Sequence, residues 1–93
     1  VGSNTIDLQE LGLGDRYVRA ISSSLRKSGS IEFLNVAHNR MTHRSAVKII
    51  NQLDPKVVRE LNLSGNNLGL ETFKTIHNLI ANSSRLTKLV LQS

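Results

Sequence analysis

Residues 58–68 read V-R-E-L-N-L-S-G-N-N-L. Apolar side chains stand at Val58, Leu61, Leu63 and Leu68, with Asn66 between the last two, giving the spacing L-x-x-L-x-L-x-x-N-x-L. The same spacing occurs upstream at Ile31, Leu34, Val36, Asn39 and Met41, and it begins again at Leu86, Leu89 and Leu91. Leu34 and Leu61 are 27 residues apart, and Leu61 and Leu89 are 28 apart. One step back from Leu34 falls on Ile6, which brings Leu8 and Leu13 into line with Val36 and Met41.

The spacing has a physical cause. In extended chain, successive side chains point to opposite faces, so Leu61 and Leu63 share one face, as do Leu34 and Val36. Leu68 and Met41 then return to that inner layer from beyond a turn. Asn66 and Asn39 stand where the backbone leaves strand geometry and loses its ladder partners. A carboxamide can both accept from and donate to the freed backbone groups. Leu11 occupies this position in the first copy of the pattern, so the row of asparagines is broken there.

The residues between the strand patterns also keep step. Counted from Leu13, Met41 and Leu68, the fifth position holds Val18, Ala46 and Phe73. The eighth holds Ile21, Ile49 and Ile76, and the twelfth holds Leu25, Leu53 and Ile80. Offsets of three and four describe one face of a helix, which these residues are expected to turn inward. The predicted order is strands over about 5–9, 32–37, 59–64 and 87–92, with helices over about 16–26, 43–53 and 71–81. Asp15 and Thr42 are placed as helix caps, and Asp54-Pro55 ends the second helix because proline lacks an amide donor.

A recurring unit of 27 or 28 residues with this signature and a full helix resembles the ribonuclease-inhibitor-like leucine-rich repeats. The resemblance spans nearly the whole chain. It implies an α/β leucine-rich repeat solenoid, a right-handed βα superhelix with parallel strands on its concave face and helices on its convex face. The predicted domain is single, residues 1–93, with three full repeats at about 5–32, 33–59 and 60–87 and the strand of a fourth. Both ends would then present an apolar edge, so the chain is expected to be part of a longer repeat protein or to self-associate through its ends. Members of this group are mainly intracellular interaction scaffolds, which sets the expectation of a cytoplasmic, non-catalytic binder of protein.

Composition narrows the chemistry. The 93 residues contain no cysteine, so a disulfide framework and a cysteine-based zinc site are both excluded. Twelve Lys and Arg against seven Asp and Glu give a net charge of +5, which favours acidic proteins, nucleic acid or anionic membrane as partners. Tyr17, Phe33 and Phe73 are the whole aromatic complement, too few for a reader of single strands that stacks bases on rings. His38 and His43 lack the carboxylate or histidine neighbours of a metal site. No nucleophile–base arrangement and no phosphate-binding loop can be proposed, so neither a catalytic residue nor a cofactor is expected.

Strand parity gives the binding expectation. Side chains alternating with the inward set form open columns on the concave face: Thr5, Phe33, Glu60 and Lys88; Asp7, Asn35, Asn62 and Val90; and Gln9, Ala37, Ser64 and Gln92. Phe33 is a large apolar ring among polar neighbours, a pattern frequent at interfaces. The predicted partner-binding set is therefore Phe33, Asn35, Glu60, Asn62, Lys88 and Val90. The alternative is a basic patch on the helices, made of Arg16, Arg19, Arg26, Lys27, Arg44 and Lys48, for nucleic acid or anionic membrane. That reading is disfavoured, since charged residues on an outer helix face are usually only solvated. Part of a GTPase-regulating repeat protein is a further alternative.

Overall fold

Ile6, Leu34, Leu61 and Leu89 are brought side by side in a parallel sheet. Its strands are β1 (Thr5–Asp7), β2 (Phe33–Asn35), β3 (Glu60–Asn62) and β4 (Lys88–Val90), hydrogen-bonded in that order. A computed structural model describes residues 5–17, 25 and 31–91. Within that span the chain is a small α/β structure with two α-helices, α1 (His43–Gln52) and α2 (Leu70–Asn82), and a short 3-10 turn at Asp15–Tyr17. The predicted first helix lies largely outside the described residues, although Leu25 is described and buried. Among the described residues no helix is long and apolar enough to cross a membrane.

The strands are shorter than the apolar pattern suggests because the backbone keeps pairing after it bends. Leu8 donates to the Asn35 carbonyl at 2.8 Å, Val36 to Asn62 at 3.0 Å and Leu63 to Val90 at 2.9 Å. Farther round the turn, Glu10 donates to the Ala37 carbonyl and His38 to that of Ser64. Ala37 is consequently buried at 1% exposure, not open as the parity of the strand predicts. Glu10, His38 and Gly65 share this bend and all have φ near +60°, at 58°, 56° and 69°. At Gly65 a Cβ would also collide with the His38 ring, so that site combines a left-handed conformation with close approach.

Asn39 and Asn66 do what the turn requires. Asn39 Oδ1 accepts from Leu11 N at 2.9 Å and Leu13 N at 3.3 Å, while its Nδ2 donates to the carbonyls of Leu8 and Val36. Asn66 repeats the pattern: Oδ1 accepts from Asn39 N at 2.9 Å and Met41 N at 3.0 Å, and Nδ2 donates to the carbonyls of Val36 and Leu63 at 3.0 Å each. Both side chains are buried. Burial of an amide is tolerated here because donors and acceptors are all engaged.

The core lies between the sheet and the helices and includes Leu34, Val36, Met41, Ile49, Val58, Leu61 and Leu63. Helix α1 starts at Thr42, whose hydroxyl accepts from Arg44 N, and stops at Leu53 ahead of the Asp54-Pro55 turn. It buries Ser45, Ala46, Ile49 and Ile50. Helix α2 starts at Gly69 without a side-chain cap and buries Thr72, Ile76 and Leu79. This corrects the predicted inward face of the last helix, since Phe73 is 46% exposed and Ile80 is 50% exposed. The reason is positional. Helix α1 packs against α2, whereas Leu70, Phe73 and Ile80 stand on the part of α2 that is left largely open to solvent.

The helix that Asp15 is expected to cap lies largely outside the described residues. Within the described residues the Asp15 carboxylate serves the neighbouring helix: Oδ1 accepts from Thr42 N at 3.0 Å, Oδ2 accepts from Thr42 Oγ1 at 2.6 Å, and Ser45 Oγ donates to Oδ1. Burial pushes its carboxyl up, but the hydrogen bonds from Ser45 and Thr42, with the nearby Arg44 charge, hold it below the usual carboxylate range.

Candidate functional site

The face of the sheet turned away from Leu34 and Leu61 holds a shallow hollow of about 220 Å³. All six residues of the predicted binding set line it: Phe33 and Asn35 from β2, Glu60 and Asn62 from β3, and Lys88 and Val90 from β4. They come together because the register is unstaggered. Thr5 pairs with Phe33, Phe33 with Glu60 and Glu60 with Lys88, while Asp7, Asn35, Asn62 and Val90 form the next row. Neighbours in a row are separated by one strand spacing, about 4.8 Å.

The second row has a further regularity that strand parity does not reveal. Asn35 Oδ1 accepts from Ala37 N at 3.0 Å, and Asn62 Oδ1 accepts from Ser64 N at 3.0 Å and Ser64 Oγ at 2.7 Å. Asp7 does the same on β1, its oxygens accepting from Gln9 N and Gln9 Nε2. Each of these side chains folds onto the residue two places on, a local turn that fixes its rotamer. The oxygens of Asn35 and Asn62 are thereby engaged, and their Nδ2 groups have no partner among the described residues. The predicted binding set includes the two asparagines, while Asp7, placed in the same open column but left out of that set, lines the hollow as well. The signal was present, since an Asx residue stands at the same strand position three times running.

In the first row Phe33 is half-buried between Thr5 and Glu60. Glu60 and Lys88 approach to 4.0 Å with exposed side chains. A pair of this kind contributes about 0–1 kcal/mol, so either charge can turn to another partner at little cost.

The basic alternative is only partly within view. Arg16, Arg44 and Lys48 are exposed, and Arg44 and Lys48 stand one turn apart on α1. Arg19, Arg26 and Lys27 lie outside the described residues. Among the described residues no group of three His, Asp or Glu side chains could hold a metal ion. His38 instead packs over Gly65.

Set against known proteins, the chain matches no family model, and no curated protein or solved structure aligns with it significantly.

Proposed function

We propose that this chain is a leucine-rich repeat solenoid of the ribonuclease-inhibitor-like kind, a right-handed βα superhelix, and that it acts as a non-catalytic scaffold binding a protein partner on its concave sheet face inside the cell. The fold part of this reading draws support from the in-register strands and the matching bonds of Asn39 and Asn66, made 27 residues apart. The function part rests on one observation: four strands contribute residues to a single open hollow that includes Phe33. Short strands cannot hold so many groups in rows unless the turns between them are fixed, and the buried asparagines fix them.

Pull-downs with two variants test the proposal. Phe33→Asp places a charge in the hollow, and Phe73→Asp places one on the exposed side of α2. Partners are expected to be lost with the first and kept with the second. Equal recovery with Phe33→Asp and the wild type removes the sheet face as the binding surface.

A further inference from the structure

The charges around Phe33 point to the chemistry of its partner, provided that the sheet face is the binding surface. Glu60 stands directly beside Phe33 on β3, and Asp7 stands diagonally from it on β1. Both residues line the same hollow as Phe33, the oxygens of Asp7 accepting from Gln9 as well. The hollow thus holds two carboxylates against the one ammonium of Lys88, on a chain whose net charge is +5. Its local balance is opposite in sign to that of the molecule.

We infer that the hollow takes an arginine or lysine side chain of a protein partner, with the cation over the Phe33 ring between Asp7 and Glu60. A cation above an aromatic face is attracted by the ring's quadrupole, and flanking carboxylates add to that attraction. The Nδ2 groups of Asn35 and Asn62, without a partner among the described residues, supply donors for carbonyl oxygens of the segment bearing the cation. Lys88 is the internal competitor. It holds Glu60 only at 4.0 Å and from an exposed position, so an incoming guanidinium can displace it. An acidic partner fits less well, because Lys88 alone would attract it while Asp7 and Glu60 repel it.

The experiment is selection of short peptides from a displayed random library on the immobilised protein, followed by affinity measurement on variants. The expected result is enrichment of Arg and Lys among the selected peptides. Asp7→Asn combined with Glu60→Gln should weaken them roughly tenfold, and Phe33→Leu, which keeps apolar bulk but removes the ring, should weaken them several-fold. Lys88→Ala should strengthen them, because Glu60 loses its competitor. Peptides that are lost on Phe33→Lys but indifferent to the carboxylate variants overturn the inference and leave the sheet face standing. Acidic peptides weakened by Lys88→Ala have the same consequence. Selected peptides indifferent to Phe33→Lys overturn the sheet-face reading as well.

Discussion

At the scale of single residues, the carboxamide of Asn66 touches the most backbone. It satisfies two amides of the preceding turn and the carbonyls of Val36 and Leu63, just beyond β2 and β3, all in the protein interior. Asn66→Ala strands those groups without water, and each orphaned buried group costs about 1–3 kcal/mol. We expect a loss of about 3 kcal/mol or more, against less than about 0.5 kcal/mol for Asn67→Ala, since Asn67 is exposed. Urea midpoints of the two variants decide the matter. Asp15 gives a pH dependence with a definite sign. Its folded carboxyl is more acidic than the unfolded one, so its contribution is complete above about pH 4 and fades as the pH falls through the folded value. Thermal melts should show Asp15→Asn furthest below the wild type near neutrality, with the gap narrowing in acid. A constant gap down to pH ~2.5 would mean that the carboxylate is not the group involved.

At the scale of elements, the last helix separates what the sequence made legible from what it did not. The strands were legible because inward leucines 27 or 28 residues apart match each other in register, and Leu34, Leu61 and Leu89 pair that way. Helix α1 was legible for the same reason. In α2 the apolar residues Phe73 and Ile80 seemed inward by analogy with Ala46 and Leu53, yet Thr72 and Leu79 are the buried ones. A search for apolar periodicity passes over a buried hydroxyl. The clue was that Ser45 and Thr72 stand six residues after Asn39 and Asn66, and both are fully buried. In the hollow, the charged and amide residues were found by parity, but their fixed rotamers depend on bonds to the next turn that parity cannot supply. The expected energetic consequence is plain. Ile76→Ala should cost about 2–4 kcal/mol through the cavity it leaves, whereas Phe73→Ala should cost less than about 1 kcal/mol because its ring already meets water. Equal losses in chemical denaturation would show that Phe73 is covered in solution.

At the scale of the whole molecule, the asparagine bonds run in a single direction. Asn39 holds the amides of residues 11 and 13, and Asn66 holds those of residues 39 and 41. Among the described residues no later side chain does the same for Asn66 N or Leu68 N, the latter pairing only with the Asn66 carbonyl at 3.1 Å. The carboxamide support of each bend therefore comes from its successor, while other bonds run the opposite way: Asp15 accepts from Thr42 and Ser45, and the Met41 carbonyl accepts from Asn67 N. Loss of a bend carboxamide late in the polypeptide should therefore be felt towards the amino terminus, while loss of an early one should stay where it was made. In native-state hydrogen exchange, Asn66→Ala should deprotect the amides of Asn39 and Met41, but Asn39→Ala should leave the bend at 65–68 as slow as before.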